Sequence, residues 1–286
     1  MSERRLAAVM VSPSLLLIAL VAAYPIGYAV WLSLNEYSVR VAGLSRWAGL
    51  RNYENALSDP EFWDALKNTF IFTGASVLLE TVLGLAMALA MHSAFRGKGL
   101  LRTVVLVPWA VLTVVTAIMW RSIFESPYGF VNSLLGTDTP WLGSEPHAMI
   151  VMIIADVWKT APFMALLLLA GLQTIPAEIY EAAKVDGATT LQRFRRITLP
   201  LLLPALLVAL IFRTLDALRI FDLPFVLTRG AFGTNTLSLI SFQTFQQDRI
   251  LGLGAAMAVI TFLIVMAVSF AYIRLVGGNI RGLAEE

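Results

Sequence analysis

The sequence predicts an all-α membrane protein with six transmembrane helices and both termini on the cytoplasmic side. Three observations support this fold class: the composition, the lengths of the apolar stretches, and the distribution of basic residues between the loops. Of the 286 residues, 58% are hydrophobic and 14% are charged, and the mean hydropathy is +0.76. Soluble domains contain about 45–50% apolar residues, so lipid is expected to cover part of the surface of this chain.

Six apolar stretches are long enough to cross a bilayer, which takes about 20 helical residues. They cover residues 9–34, 69–91, 103–124, 148–172, 200–222 and 255–276. Because lipid offers no partners to backbone N–H and C=O groups, each stretch is expected to be helical. The first stretch follows Arg4 and Arg5 but is too long for the apolar part of a signal peptide, so we interpret it as a retained helix. Residues 1–286 are expected to form a single transmembrane domain, because no linker or internal repeat is detected.

Charged residues in the loops indicate the orientation, because cytoplasmic loops are enriched in Lys and Arg. The loop after the second stretch contains three basic residues and no acid: Arg96, Lys98 and Arg102. The loop after the third contains three acids and no base: Glu125, Asp138 and Glu145. The loop after the fourth contains four basic residues: Lys184, Arg193, Arg195 and Arg196. This alternation predicts that the N-terminus and the C-terminus are both cytoplasmic (N-in/C-in).

The residue types argue against catalysis within this chain. There is no cysteine, and the two histidines, His92 and His147, are far apart in the sequence, so neither a metal site nor a cysteine nucleophile is expected. The sequence contains no G-x-x-x-x-G-K-[ST] phosphate-binding loop and no G-x-S-x-G or H-E-x-x-H motif. We therefore expect no enzyme activity, no cofactor in this chain and no nucleic-acid partner.

Residues 176–199, between the fourth and fifth stretches, predict a helix–turn–helix elbow on the cytoplasmic side. Pro176 suits the start of a short helix, and Gly187 suits the left-handed residue that ends it. Thr189 or Thr190 can cap a second short helix that ends at Pro200. These features alone leave two interpretations open. The elbow either binds a partner or lies on anionic lipid through its basic cluster, which comprises Arg193, Arg195 and Arg196.

The elbow also resembles the EAA loop of ABC-importer permeases, the inner-membrane components of binding-protein-dependent transport. The matching residues are Glu181-Ala182-Ala183, Gly187, Phe194, Ile197, Leu199-Pro200 and Pro204. The resemblance implies the type I ABC importer permease fold. It further implies that the first short helix enters a groove on an ATPase subunit, where the glutamate meets a basic residue. The implied ATPase-coupling residues are Glu181, Ala182, Ala183, Asp186, Gly187 and Phe194.

Motifs in the N-terminal half are similar to those of carbohydrate permeases. They include Tyr24-Pro25, Asp59-Pro60-Glu61-Phe62-Trp63, Pro108-Trp109 and Trp120-Arg121. The chain resembles the first permease subunit of maltose, glycerol-phosphate and trehalose importers, and segments 156–163 and 213–222 resemble the trehalose type most. The resemblance implies a multi-pass protein of the bacterial cytoplasmic (inner) membrane. It implies three partners: a second homologous permease, a dimeric ATP-binding-cassette ATPase that carries ATP and Mg, and an extracytoplasmic sugar-binding (lipo)protein.

Polar residues within the apolar stretches are candidates for a sugar pathway, because a charge inside a span is costly and a sugar needs hydrogen-bonding groups and an aromatic ring. The six candidates are Glu80, Asp156, Trp158, Lys159, Arg213 and Asp216. The alternative is structural pairing within one helix, because three pairs are three residues apart: Asp156 with Lys159, Arg213 with Asp216, and Arg219 with Asp222. Glu80 is expected to brace two helices rather than to touch a ligand.

Two questions stay open at the level of sequence. The polar stretch 228–247 either lines the mouth of a pathway, contacts a sugar-delivering protein or forms an ordinary exposed loop. A secondary transporter driven by an ion gradient is the alternative function. Glu80, Asp156 and Asp216 supply the carboxylates that such a transporter needs, but no inverted repeat is apparent.

Overall fold

The computed structural model describes residues 3–39, 45–93 and 97–284, and Arg96 of the basic loop lies outside these ranges. Within them most of the chain is helical. The α-helices are α1 (Glu3–Ser33), α2 (Arg51–Ser58), α3 (Pro60–His92), α4 (Lys98–Ala110), α5 (Thr113–Phe124), α6 (Phe130–Leu135), α7 (His147–Gln173), α8 (Ala177–Val185), α9 (Thr190–Arg193), α10 (Leu199–Ala217), α11 (Asp222–Leu227), α12 (Leu237–Phe242) and α13 (Leu251–Ala284). The remaining elements are two π-helical turns, Phe194–Thr198 and Gln243–Gln247, and an antiparallel pair of strands, β1 (Asn35–Tyr37) and β2 (Ser45–Trp47).

Helical segments that are long and apolar enough to cross a membrane match the six predicted stretches. Within the described residues there are five such segments: Arg5–Ser33, Pro60–His92, His147–Gln173, Thr190–Leu227 and Leu251–Tyr272. A bent pair, Gly99–Ala110 and Thr113–Phe124, makes the sixth. The predicted all-α membrane fold is therefore confirmed, with five candidate spans, or six when the bent pair is counted as one span. The cytoplasmic location of both termini stays a prediction.

The stretch 103–124 differs from the prediction, because it forms two helices instead of one. The axes of α4 and α5 differ by 90°. Pro108, in the last turn of α4, has no N–H to donate to the preceding turn, which weakens the helix at that point. Val111 and Leu112 then adopt extended conformations, with ψ angles of 136° and 138°. The expectation of one continuous helix is wrong here.

The fifth stretch also differs from the prediction at both ends. α10 ends at Ala217, and a turn leads into α11, so Arg219 and Asp222 do not share a helix and the pairing expected for them is wrong. At the other end, the second elbow helix does not stop at Pro200. It continues from α9 through the π-helical turn into α10, and Pro200 lies directly after that π-helical turn, in the first turn of α10.

The chain packs as two compact units. One comprises Met1–Trp63 and Ile240–Leu263, and the other comprises Asp64–Leu239 and Ile264–Glu286. In the first unit the Asn52 side-chain amide donates to the carbonyls of Ser33 and Asn35, at 2.8 and 2.9 Å. Residues 9–28 of α1 are exposed, as expected for an apolar helix that faces lipid. Because α3 and α13 each run through both units, the single transmembrane domain stays a prediction.

The second unit is built around α3, α7 and α10, which bury an apolar core. Its buried residues include Ala88, Met91, Met164, Leu168, Leu172 and Leu202. Glycines allow the helices to approach closely. A Cβ atom on Gly171 of α7 would collide with the Cβ of Ala205 on α10, and one on Gly84 of α3 would lie 2.6 Å from the Cγ of Met164 on α7. This close packing brings the polar residues of the three helices together.

Candidate functional site: a buried ion cluster and an exposed elbow

Three helices of the second unit contribute to a cluster of four charged side chains. The Arg213 guanidinium on α10 donates to both carboxylate oxygens of Glu80 on α3: Nε bonds to Oε2, and Nη2 lies 2.9 Å from Oε1. Nη2 also donates to the Asp156 carboxylate on α7. Nη1 lies 2.6 Å from Oδ2 of Asp216, which is one turn further along α10. These four residues form the ion cluster, in which one arginine holds carboxylates from three helices.

The ion cluster is buried except at one end. The side chains of Arg213, Glu80 and Asp156 are 2%, 0% and 5% exposed, whereas that of Asp216 is 75% exposed. Inside a membrane protein a charge is tolerated when it is paired and hydrogen-bonded, and Arg213 provides a donor to each carboxylate. Glu80 joins α3 to α10, as expected for a residue that braces two helices. Asp216 is the member of the ion cluster whose carboxylate is open to a ligand.

Thr160 adds a hydroxyl to the ion cluster and was not among the sequence candidates. Its Oγ1 lies 2.6 Å from Glu80 Oε1 and 2.6 Å from the Asp156 carbonyl oxygen, so two acceptors share its single proton. A signal was available in the sequence, because Thr160 follows Asp156 by four residues and therefore lies on the same face of α7. Thr160 was missed because an uncharged side chain does not stand out in an apolar stretch as a charged one does.

Lys159 does not pair with Asp156, although the two are three residues apart. Its ammonium lies 2.8 Å from the Val111 carbonyl oxygen and 3.4 Å from the Trp109 carbonyl oxygen. Both carbonyls are at the break between α4 and α5, where regular helical partners are missing. The pairing expected for Asp156 and Lys159 is therefore wrong, whereas the pairing expected for Arg213 and Asp216 is present.

Aromatic side chains lie beside these polar groups. Trp158 is 37% exposed and meets Trp120 edge to face, with ring centroids 6.0 Å apart. Trp109 stacks on Phe163 at a centroid distance of 5.6 Å. A partly exposed indole next to Lys159 is a surface on which one face of a sugar ring can stack.

Apart from a cavity at the elbow, two half-open cavities lie among the described residues of the second unit. A cavity of about 390 Å³ is lined by Phe212, Leu215, Asp216 and Arg219, so it opens onto the exposed end of the ion cluster. A cavity of about 330 Å³ is lined in part by Arg121 and Glu125, together with Thr228 and Arg229 from the polar stretch 228–247. Within residues 3–39, 45–93 and 97–284, no group of three or more His, Cys, Asp or Glu side chains is arranged to hold a metal ion.

The elbow has the two arms predicted from its sequence. α8 begins after Pro176 and is closed by Gly187, whose φ angle is 77°, with the Ala188 N–H bonded to the Ala183 carbonyl at 2.9 Å. Thr189, rather than Thr190, caps α9. Its hydroxyl accepts from the Gln192 backbone N–H, and the Gln192 side chain accepts from the Thr189 N–H.

The surface of the elbow is open. Among the residues implied in ATPase coupling, Glu181, Ala182, Asp186 and Gly187 are exposed, and Ala183 and Phe194 are partly buried. Exposed apolar side chains accompany the charges, since Val185 is 88% and Leu191 is 58% exposed. A mixed apolar and charged surface on a projecting helix is suited to contact with another protein.

A protein-family profile matches most of the length of this chain. The profile of the family described as "binding-protein-dependent transport system inner membrane component" matches residues 80–281. The chain is 43% identical to the trehalose transport system permease protein SugA of Mycobacterium tuberculosis over 282 residues, which is 99% of this chain and 92% of that protein. It is also 43% identical to the trehalose/maltose transport system permease protein MalF of Thermococcus litoralis over 278 residues, 95% of this chain and 94% of that protein.

A solved structure shares the fold. It is the crystal structure of a bacterial ABC transporter involved in the import of the acidic polysaccharide alginate. One of its chains matches with a TM-score of 0.81 at 21% sequence identity, over 95% of this chain and 94% of that chain. At this identity the similarity concerns the arrangement of the helices.

Proposed function

The chain belongs to the family of binding-protein-dependent transport system inner membrane components, as residues 176–199 predicted, and we propose that it is one of two permease subunits of an ATP-driven sugar importer. It is a multi-pass inner-membrane protein. The proposed substrate is a disaccharide such as trehalose or a related α-glucoside, brought by an extracytoplasmic binding protein. Two relatives named for trehalose and for trehalose/maltose transport, each 43% identical to the chain, support this substrate class.

The proposed source of energy is a partner. The chain contains no phosphate-binding loop, so ATP and Mg²⁺ belong to a dimeric ATPase that binds at the elbow. A second, homologous permease completes the pathway. Movement of the ATPase shifts the elbow and alternately opens the pathway to the two sides of the membrane.

The exposed elbow is the observation that carries this proposal. α8 contains no buried residue, and the Glu181 side chain on it is exposed on the protein surface. The first arm follows directly from α7, and the second arm continues into α10. Because α7 carries Asp156 and α10 carries Arg213 and Asp216, a displacement of the elbow acts on two of the three helices that hold the ion cluster.

The proposed sugar contacts are Trp158, Lys159 and Asp216. Trp158 offers a partly exposed ring face, and Asp216 offers an exposed carboxylate beside a half-open cavity. A sugar hydroxyl can donate to Asp216, while Arg213 holds the carboxylate in place from the buried side. Glu80, Asp156 and Arg213 then support the pathway from within the helix bundle.

Charge reversal of Glu181 tests the coupling role. Glu181→Lys should abolish ATP-driven uptake, because it places a cation where a basic residue of the ATPase is proposed to bind. Gly187→Val should also abolish uptake. A Cβ there meets no atom within 4 Å, so the loss comes from the positive φ angle, which disfavours a β-branched residue by about 1–2 kcal/mol.

The matched control for the charge reversal is Glu178→Lys, which alters an exposed glutamate in the first turn of the same helix and should leave uptake near the wild-type level. Uptake into reconstituted vesicles and co-purification of the ATPase are measured together. Wild-type uptake by both the Glu181 and the Gly187 variants would leave the elbow as a membrane-surface element.

Alanine substitutions test the sugar contacts. Trp158→Ala and Asp216→Ala should weaken uptake while assembly and basal ATP hydrolysis stay largely intact. Asp138→Ala, in an exposed loop, serves as the control for loss of a carboxylate. Normal uptake by both test variants would favour a purely structural role for the two side chains.

A further inference from the structure

A hydrogen bond links the two arms of the elbow. The Tyr180 hydroxyl on α8 lies 3.0 Å from Oγ1 of Thr198, the last residue of the π-helical turn. Thr198 Oγ1 also donates to the Arg193 carbonyl, 3.5 Å away. A threonine hydroxyl has only one proton. That proton can be directed at the Arg193 carbonyl or at Tyr180, so either hydroxyl can be the donor in the bond between the arms.

Tyr180 is the residue that fastens α8 to the rest of the chain. Within α8 only Tyr180 and Ala183 are partly buried, and the other residues are exposed. The Tyr180 side chain packs against the buried apolar core formed by α3, α7 and α10. Thr198 is 5% exposed, so water competes little for the bond. Over the described residues of the elbow, it is the one side-chain hydrogen bond between α8 and the second arm.

The backbone alone gives a weaker link between the two arms. From α8 the chain passes through a turn at Gly187, the short helix α9 and the π-helical turn before it reaches α10. A π-helical turn interrupts the regular i→i−4 hydrogen bonds and is a place where helices bend. A displacement of α8 could therefore be absorbed before it reached α10. The bond from Tyr180 bypasses these segments, because Thr198 directly precedes Leu199, the first residue of α10.

We propose that Tyr180 and Thr198 are positioning residues whose hydrogen bond makes α8 and the start of α10 move as one body during transport. The inference rests on the proposed function, since it requires a partner that displaces α8. Neither side chain needs to touch the sugar or the ATPase for this role. Loss of the bond should therefore lower the yield of transport per ATP rather than assembly or ATP hydrolysis itself.

The test uses the complete importer in proteoliposomes, with sugar uptake and ATP hydrolysis measured in the same preparation. Tyr180→Phe keeps the ring and removes the tyrosine hydroxyl. Thr198→Val keeps the shape of the side chain and removes the threonine hydroxyl. Each should lower sugar imported per ATP hydrolysed by about 2- to 10-fold, the range expected for one neutral hydrogen bond. The double variant should lose no more than either single variant, because both changes remove the same bond. Thr198→Ser retains the hydroxyl and should couple normally.

Tyr272→Phe is the matched control. The Tyr272 hydroxyl lies 3.1 Å from Thr214 Oγ1, so this variant removes the same type of bond away from the elbow and should leave the yield per ATP unchanged. Equal yields for wild type, Tyr180→Phe and Thr198→Val would overturn the proposal. So would reduced co-purification of the ATPase with Tyr180→Phe alone, which would assign the hydroxyl to the partner interface. A wild-type complex without ATP-driven sugar uptake would instead contradict the proposed function itself.

Discussion

Replacement of Arg213 by methionine should be among the most destabilising single changes in this chain. The guanidinium donates to Glu80, Asp156 and Asp216, and the first two carboxylates are 0% and 5% exposed. Methionine fills a similar volume but supplies no donor and no charge. Removal of one partner from a buried ion pair costs about 3–5 kcal/mol, because the remaining charge is left without compensation. Asp216, being exposed, adds little to this cost.

The expected loss is measurable as a shift in thermal denaturation. At about 2–4 °C per kcal/mol for large domains, a loss of about 3–5 kcal/mol lowers the apparent Tm by roughly 10 °C. The assay heats the detergent-solubilised complex at a fixed rate and follows the folded fraction by size-exclusion chromatography. Arg219→Met is the control, since it removes an arginine that is exposed just beyond the end of α10; it should shift the Tm by no more than about 2 °C.

A rescue experiment separates the charge effect from loss of packing. In the Arg213→Met background, Glu80→Gln and Asp156→Asn convert the two buried carboxylates into neutral amides, so a substantial part of the lost stability should return. Equal Tm values for Arg213→Met and Arg219→Met would refute the idea that the ion cluster holds α3, α7 and α10 together. Failure of the amide substitutions to restore any stability would assign the loss to packing instead.

Two further substitutions and a set of reporter fusions have defined outcomes. Lys159→Met leaves the carbonyls at the α4–α5 break without their donor and should lower the stability by about 1–3 kcal/mol. The same thermal assay measures this loss, and an unchanged Tm would show that Lys159 does not stabilise the bend. Gly171→Val drives a side chain into Ala205 and should cost about 1–3 kcal/mol or more, whereas Gly27→Val, which has open space, should be tolerated. Reporter fusions after residues 97 and 190 should be cytoplasmic and those after 45, 138 and 235 external, and a cytoplasmic signal at 138 would contradict the predicted orientation.

The membrane helices were predictable because their signal is local and strong. A run of about 20 apolar residues has few alternatives to a membrane helix. The bend between α4 and α5 was harder to predict, although Pro108 is visible in the sequence. The Val111 carbonyl at the bend accepts a hydrogen bond from Lys159, which comes from a different helix. The residue pattern within 103–124 contains no information about a partner that lies elsewhere in the sequence.

The ion cluster shows the same division between local and long-range information. Its charged members were identified from the sequence, because charges stand out in apolar stretches. Their partners were predicted from spacing within one helix, which succeeded for Arg213 with Asp216 and failed for Asp156 with Lys159. The pairing of Arg213 with Glu80 joins residues 133 positions apart. It depends on the packing of α3, α7 and α10, which spacing does not encode.

In the elbow the capping signals were correct because they act over a few residues. Pro176, Gly187 and Thr189 define the ends of α8 and α9 as their conformational preferences require. The bond between Tyr180 and Thr198 was not predictable. Thr198 is the last residue of the π-helical turn before α10, and no residue pattern in 194–198 predicts that turn.

The most direct test of the central claim is sugar uptake by the reconstituted importer under an applied ion gradient and under ATP separately. The chain is assembled with its second permease, the ATPase and the binding protein, and labelled trehalose is supplied on the outer side. We expect uptake that requires ATP hydrolysis and the binding protein and that persists after an ionophore has collapsed the proton gradient. Uptake that follows the ion gradient and continues without the ATPase would contradict the assignment and favour a secondary transporter.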